Sequence, residues 1–220
     1  MIHYDNIIFV DLDGTLLETK NRHYSCYRDI ILKNGGIPVD LDTYWKMKRN
    51  KIKLAQLLEL SQYLGKHIDF MSQWTMLIEK KEYLNFDTLK YRVSETLNTW
   101  RKIVDSLQLV TMRNNQENLL WQLDTLHIRD LFDSVICCNA NQYKSKYQAV
   151  NGLTFRSAIF VGDTEEDMDT AQLLGIKSVA VINGIRCKKY LCADFYVEEI
   201  HDLSSNTIRD LLISDIAYKS

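Results

Sequence analysis

The stretch "IIFVDLDGTLLET", residues 7–19, begins with an apolar run and ends it with two aspartates one residue apart. The apolar run, residues 7–10, is short and continuous, which is typical of a strand that is buried on both faces. Asp11 and Asp13 follow where that strand ends, and a glycine comes directly after them. Because paired carboxylates do not help a core strand to pack, they call for a chemical explanation.

The composition is that of an ordinary globular protein, with 220 residues, 46% hydrophobic and 25% charged. This length allows one large or two small domains. The formal net charge of −2 gives no general attraction to nucleic acid or anionic lipid. No apolar run is long enough for a membrane helix, and the first residues lack a signal-peptide pattern. We therefore expect a cytoplasmic protein with reduced cysteines and no membrane partner.

Further apolar runs recur along the chain and predict additional strands, at residues 107–111, 134–138, 158–162 and 178–182. Amphipathic helical patterns lie between the later runs, at residues 115–127 and 164–174. Strands that alternate with helices form a parallel sheet covered on both faces. The sequence therefore predicts an α/β fold with a Rossmann-like parallel sheet core.

One long segment interrupts this alternation. Residues 18–90 carry almost no strand signal and read as three helical patterns, which are separated by stop signals at Gly35-Gly36 and Gly65. We interpret residues 18–90 as an all-helical domain inserted after the first strand. Residues 1–17 and 91–220 then make up the α/β core.

Polar residues follow four of the predicted strands, at positions that meet at one edge of a parallel sheet. These residues are Asp11 and Asp13, Thr111, Lys144 and Lys146, and Asp163 and Asp167. Two carboxylates 4 Å apart repel by about 4 kcal/mol at an effective dielectric of about 20, so a cation is needed among them. Mg²⁺ prefers oxygen ligands and also bridges to phosphate oxygens. The pattern therefore predicts a magnesium site that handles a phosphoryl group.

Phosphoryl chemistry gives separate roles to the polar residues. One of the first two aspartates can attack phosphorus, while the other acts as acid and base. Thr111 and Met112, at a strand-to-helix turn, offer a hydroxyl and backbone N–H groups to a phosphoryl oxygen. Either Lys144 or Lys146 can supply a fixed positive charge. The sequence "SKYQ", residues 145–148, resembles a capping box and favours Lys144, which would precede the helix.

Four segments together resemble the motifs of the haloacid dehalogenase superfamily of phosphohydrolases, in the order that this superfamily uses. They are "DLDGTLLE", "LVTMR", a lysine before a helix, and "FVGDTEEDMDTAQLLGI". The resemblance covers residues 7–19 and 107–182, and the inserted helices resemble the cap of the phosphoglycolate phosphatase and β-phosphoglucomutase type. One departure is Ser145, which stands where many relatives have proline after the lysine.

The resemblance implies a Mg²⁺-dependent phosphatase that acts on a small phosphorylated metabolite. It makes Asp11 the nucleophile and Asp13 the general acid and base. It assigns Mg²⁺ to Asp11, the carbonyl of Asp13 and Asp163, with Asp167 as a further ligand or a supporting residue. The dehalogenases of the superfamily lack the second aspartate, so Asp13 argues against carbon–halogen chemistry.

Two other functions fit the same residues. A phosphotransferase of the sugar phosphomutase type would keep the chemistry and pass the phosphoryl group to another hydroxyl. Alternatively, a catalytically vestigial protein would bind a partner through the basic segment "WKMKRNKIK", residues 45–53. In an enzyme, Arg49 of that segment is a candidate for binding the leaving group of the substrate. The lack of a repeated basic and aromatic pattern argues against nucleic acid as a partner, and the sequence makes no prediction of oligomeric state.

Overall fold

The computed structural model describes residues 3–139 and 142–219 and confirms the predicted α/β fold. The strands, in chain order, are β1 (His3–Val10), β2 (Leu17–Glu18), β3 (Thr88–Leu89), β4 (Ser106–Thr111), β5 (Ser134–Cys137), β6 (Thr154–Gly162), β7 (Lys177–Val181) and β8 (Phe195–Val197). Six of them form one sheet in the order β5-β4-β1-β6-β7-β8, and every neighbouring pair in it is parallel.

Helices connect most of these strands. The α-helices, in chain order, are α1 (Lys20–Lys33), α2 (Leu41–Arg49), α3 (Leu54–Leu60), α4 (His67–Leu77), α5 (Lys81–Leu84), α6 (Val93–Trp100), α7 (Gln116–Thr125), α8 (Lys146–Val150), α9 (Glu165–Leu174) and α10 (Ser205–Lys219). Short 3-10 turns lie at Arg129–Leu131, Lys188–Tyr190 and Ile200–Asp202.

The central strand β1 is buried on both faces, as its continuous apolar run predicts. Ile8 and Val10 pack into one cluster of core side chains, and Ile7 and Phe9 pack into another. Successive side chains of a strand point to opposite faces, so these are the two layers on either side of the sheet. Helices α6, α7 and α10 contribute to the first layer, and α8 and α9 contribute to the second.

The strand order reverses at β1. From β1 the chain continues to β4 and β5 on one side of the sheet, and it then crosses to β6, β7 and β8 on the other side. Ligands of open α/β sheets bind at such a switch point, beyond the carboxyl ends of the strands. The backbone N–H of Asp11 donates to the carbonyl of Val161 at 2.9 Å. The pairing of β1 with β6 therefore continues as far as Asp11, the first residue of the predicted site.

The chain divides into two compact units, residues 1–17 with 89–220, and residues 18–88. The two boundaries between the units fall within β2 and within β3. The second unit contains α1 to α5 around its own aromatic core, in which the rings of Tyr27 and Tyr44 stack with centroids 4.6 Å apart.

Two of the three helix predictions in the second unit were wrong, because each pattern forms two helices. The last pattern forms α4 and α5. The segment from Thr43 to Gly65 has a single helical pattern in the sequence, but it forms the two helices α2 and α3. Lys51, between them, has a left-handed backbone with φ of 55°. A left-handed residue cannot continue an α-helix, so the chain turns there.

Candidate active site

Three aspartates predicted for the site form a buried cluster. Asp11 follows β1, Asp163 follows the neighbouring strand β6, and Asp167 lies in the first turn of α9. Each offers a carboxylate oxygen, and these oxygens all lie within 4.8 Å of one another. Asp11 is 4% exposed, and the other two are fully buried. The fold thus brings together carboxylates separated by about 150 residues of sequence, at the switch point of the sheet.

The carboxylate of Asp163 is enclosed by the backbone. The hydroxyl of Thr15 donates to its Oδ1 at 3.0 Å, and the backbone N–H of Ile185 donates to its Oδ2 at 2.5 Å. A Cβ atom on either Gly14 or Gly184 would lie 2.2 Å from Oδ2. Gly14 also has φ of 84°, which disfavours other residues. Glycine at these two positions lets the chain approach this carboxylate closely.

The carboxylate of Asp167 is bound mainly by its own helix terminus. Its Oδ2 accepts hydrogen bonds from the backbone N–H groups of Asp163 and Thr164, at 3.1 and 2.9 Å, and from the hydroxyl of Thr164 at 2.7 Å. Its Oδ1 accepts from the ammonium group of Lys146 at 2.5 Å. Donors of the chain engage both oxygens of Asp167, as they also engage both oxygens of Asp163. That Asp167 binds an ion directly, or supports the residues that do, stays a prediction.

Lys146 is the charged partner of the cluster. It is the first residue of α8, is 2% exposed, and its ammonium group bonds Oδ1 of both Asp11 and Asp167. Its backbone N–H donates to Glu166 Oε1 at 2.8 Å. Burial by itself lowers the pKa of Lys146, but the adjacent carboxylates of Asp11 and Asp167 raise it above its usual value. The ammonium group therefore stays charged beside the carboxylates.

The structure brings Lys146, and not the preferred Lys144, into contact with the acidic cluster. Ser145 does cap α8, since its hydroxyl accepts from the backbone N–H of Gln148 at 3.3 Å. The side chain of Gln148 accepts from the N–H of Lys144, at 2.8 Å, rather than from that of Ser145. Lys144 is exposed. The residue after the cap, rather than the one before it, contacts the cluster.

Asp13 makes a different set of contacts from Asp11. Its side chain is 19% exposed, and its Oδ1 accepts from the guanidinium group of Arg113 at 2.7 Å. Arg113 is itself buried, with a side chain that is 3% exposed. The side chain of Asp13 is not part of the acidic cluster. That its backbone carbonyl binds a metal stays a prediction.

The structure gives the positions of Thr111, Met112 and Arg49, but it does not test the roles predicted for them. Thr111 is the last residue of β4 and is buried, and Met112, which follows it, is 40% exposed. The carbonyl of Thr111 accepts from the backbone N–H groups of Arg113 and Cys138, at 3.1 and 2.8 Å. Arg49 is the last residue of α2, in the helical unit. Phosphate binding by Thr111 and Met112, and substrate binding by Arg49, stay predictions.

The cluster carries more negative charge than its lysine neutralises. Burial raises the pKa of Asp11 well above its usual range, and Asp167 and Asp163 raise it further, while Lys146 opposes them. Burial and the charge of Asp167 raise the pKa of Asp163 to about 7. A divalent cation would favour the ionised forms of these groups. A donor set made only of carboxylate oxygens fits a hard cation such as Mg²⁺.

Several residues of the site were not predicted. Arg113 lies in the quoted motif "LVTMR" and Thr15 lies in "DGT", but neither side chain was predicted to have a role. Gly184 and Ile185 follow β7 and act through close backbone approach and an N–H group. Any residue has a backbone carbonyl and nearly every residue has an N–H group, so the donor at Ile185 could not be predicted from its residue type. Gly184 was the only sequence feature that indicated a close backbone approach.

The fold and the acidic cluster place the chain among Rossmann-like α/β proteins with an acidic site at the switch point of the sheet. The model of the haloacid dehalogenase-like hydrolase family matches residues 7–181, and the chain belongs to this family. The resemblance of the four motifs is thereby confirmed. A comparison with curated proteins gives no match.

Solved structures share the fold at low sequence identity. A haloacid dehalogenase-like family hydrolase from Streptococcus pneumoniae superposes with a TM-score of 0.74 and 18% identity, over 90% of this chain and 96% of that one. A predicted phosphatase from Clostridium acetobutylicum gives 0.73 and 16%, over 94% and 99%. A predicted phosphoglycolate phosphatase from Haemophilus somnus gives 0.71 and 18%, over 90% and 95%.

Within residues 3–139 and 142–219, no helix combines the length and the apolar character needed to cross a membrane.

Proposed function

We propose that the protein is a Mg²⁺-dependent phosphatase that hydrolyses a small phosphorylated metabolite through an aspartyl-phosphate intermediate on Asp11. The observation that carries this proposal is the buried cluster of Asp11, Asp163 and Asp167 around Lys146, at the switch point of the sheet. Membership of the haloacid dehalogenase-like hydrolases supports it, and so does the similarity in fold to proteins described as phosphatases.

Asp11 and Asp163 are the residues suited to hold Mg²⁺, together with the backbone carbonyl of Asp13. Asp167 supports them by capping α9 beside Asp163. The bound ion would supply positive charge to the phosphoryl oxygens and to the ionised carboxylates. The buried position of the cluster keeps competing water away from these charges.

In the first step, a carboxylate oxygen of Asp11 attacks phosphorus, and the bond between phosphorus and the oxygen of the leaving alcohol breaks. Asp13 donates its proton to that oxygen. In the second step, Asp13 takes a proton from water as the water oxygen attacks phosphorus. The bond between phosphorus and the Asp11 oxygen breaks, its electron pair returns to the carboxylate of Asp11, and inorganic phosphate leaves.

Lys146 has two functions in this scheme. Its bond to Oδ1 of Asp11 orients the nucleophile, and its charge lies next to the position of the transferred group. The hydroxyl of Thr111 and the N–H of Met112 are proposed to bind phosphoryl oxygens, since they lie at the carboxyl end of β4 next to β1. The helical unit is proposed to act as a cap that selects the substrate, with Arg49 as a binding residue.

Hydrolysis of p-nitrophenyl phosphate, with Mg²⁺ or with a chelator, tests this function. We expect turnover only with Mg²⁺, and at least a roughly 1,000-fold loss in Asp11→Asn because the nucleophile is removed. Asp5→Asn is the matched control, since Asp5 is an exposed aspartate of the same strand. Equal rates in the wild type and in Asp11→Asn would contradict the proposal.

A further inference from the structure

Arg113 connects the proposed acid and base to the core of the protein. One guanidinium nitrogen, Nη2, lies 2.7 Å from Asp13 Oδ1 and 3.2 Å from Gln122 Oε1. We propose that Arg113 is a positioning residue, which holds the carboxyl group of Asp13 in the orientation needed for proton transfer to the leaving group. This inference rests on the proposed phosphatase function.

Both ends of Arg113 are fixed by the fold. It lies two residues after the end of β4, its backbone N–H donates to the carbonyl of Thr111 at 3.1 Å, and its carbonyl accepts from Cys137 Sγ at 3.1 Å. At the other end, Gln122 is 2% exposed and lies on α7, which packs on the sheet. The position of the guanidinium group is therefore fixed by the fold. The side chain of Asp13, which it contacts, is 19% exposed.

Stability alone does not account for this arrangement. Arginine is almost never buried unless it is paired, and burying the pair requires the removal of water from both charges. Apolar residues of similar volume often replace such pairs without loss of stability. The pair involves the predicted acid and base of the site, where a fixed orientation has a chemical use.

A fixed orientation matters because a free aspartate side chain samples several rotamers. Small displacements of a catalytic group cost large factors in rate, about 100-fold for a displacement near 1 Å. The guanidinium group is planar and directs its hydrogen bonds, whereas an ammonium group does not. Arg113→Lys should therefore keep the charge and restore only part of the positioning.

The experiment compares two aryl esters of nearly the same shape, phenyl phosphate and p-nitrophenyl phosphate. Phenol has a pKa near that of tyrosine, about 10, and its departure benefits from a proton donor. The nitro group stabilises the leaving anion, so that ester depends less on a donor. We expect Arg113→Met to lower kcat/KM for phenyl phosphate about 30-fold and for p-nitrophenyl phosphate less than about 3-fold. Arg113→Lys should fall between wild type and Arg113→Met.

A double variant shows whether Arg113 acts through Asp13. In an Asp13→Asn background, Arg113→Met should change kcat/KM for phenyl phosphate by less than about 2-fold, since the group to be positioned is gone. Gln122→Leu leaves Arg113 in place and removes its support. It should also lower kcat/KM more for phenyl phosphate than for p-nitrophenyl phosphate, but by a smaller factor. If Arg113→Met does not fold, Gln122→Leu provides the test instead.

Several results would overturn the inference. Equal losses on both esters would make Arg113 a purely structural residue. A raised KM with unchanged kcat on both esters would mean that Arg113 binds substrate directly. Independent losses in the double variant would exclude action through Asp13. If the wild type hydrolyses neither ester with Mg²⁺, the proposed function itself fails, and this is seen before any variant is compared.

Discussion

The ammonium nitrogen of Lys146 lies 2.5 Å from Oδ1 of Asp167, and this contact joins the first turns of α8 and α9. The same nitrogen bonds the carboxylate of Asp11 at the end of β1. Three elements of the core thus meet at one buried charge. A lysine in this position orients the proposed nucleophile and offsets the charge of two aspartates.

Replacing Lys146 with methionine should therefore damage both stability and activity. Asp11 and Asp167 would lose their buried cationic partner, which costs about 3 kcal/mol or more. We also expect a loss of at least about 100-fold in kcat/KM, measured with p-nitrophenyl phosphate. Urea denaturation measures the change in stability.

The matched control is Lys144→Met, because Lys144 is exposed and lies two residues earlier. It should leave both quantities close to those of the wild type. A larger loss of activity in Lys144→Met than in Lys146→Met would reverse the assignment of the site lysine.

Gly184→Ala should disturb the metal site. The added Cβ would lie 2.2 Å from Oδ2 of Asp163, so the carboxylate or the loop must move. We expect a loss of about 1–3 kcal/mol in stability from overpacking. We expect Mg²⁺ to raise the melting temperature of the wild type, and this rise should disappear in Gly184→Ala, since a ligand stabilises only the form that binds it.

Gly152→Ala is the control for that substitution, because a Cβ there has no heavy atom within 4 Å. It should keep the full shift in melting temperature with Mg²⁺. If Gly184→Ala keeps the same shift, Asp163 is not a ligand held in place by this close packing.

The pH dependence of stability should depend on whether Mg²⁺ is bound. The pKa of Asp163 is raised to about 7 in the folded protein, above its ordinary value near 4. Between these values the folded state holds a proton that the unfolded state has released. Stability of the metal-free protein therefore falls as pH rises towards 7. Mg²⁺ is proposed to bind the ionised carboxylate, so its stabilising effect should grow over the same range.

Urea denaturation at about pH 5 and about pH 7.5, with chelator or with Mg²⁺, measures both trends. Asp163→Asn removes the titrating group and should flatten the metal-free trend relative to the wild type. A metal-free wild type that gains stability over this range, relative to Asp163→Asn, would contradict the raised pKa.

Arg92→Gly should stabilise the protein without changing its activity. Arg92 precedes α6 and has a left-handed backbone with φ of 56°, which disfavours any residue with a Cβ. Its ion pair with Glu95, at 2.7 Å, is exposed and contributes little. We expect the melting temperature to rise by about 2 °C. Glu95→Gln measures the ion pair separately, and a lower melting temperature in Arg92→Gly than in Glu95→Gln would exclude relief of strain.

The convergence of Asp11 and Asp163 could be predicted because it depends on topology. Alternating strands and helices predict a parallel sheet, and the carboxyl ends of parallel strands lie at one edge. The two aspartates follow strands with strong apolar runs, so errors at strand ends did not matter. For example, β6 begins at Thr154 rather than at Ala158 as predicted, but it ends at Gly162 in both cases.

The choice of lysine could not be predicted, because it depends on how one loop enters a short helix. A capping pattern locates the start of α8 but does not decide which neighbouring side chain is buried. The break between α2 and α3 was missed for a related reason. The apolar pattern continues past Lys51, but the helical backbone conformation ends there. The bond from Arg113 to Asp13 joins residues 100 positions apart and required the packing of α7 and β4.

The most direct test of the central claim is the identity of the residue that carries the phosphoryl group. Asp13→Asn, mixed rapidly with p-nitrophenyl phosphate and Mg²⁺ and then quenched, should accumulate the intermediate because water activation is impaired. Borohydride reduction converts an aspartyl phosphate to homoserine, which mass spectrometry of the peptides can locate. We predict homoserine at position 11. A phosphoryl group on any other residue, or continued turnover with no acyl phosphate at position 11, would contradict the account.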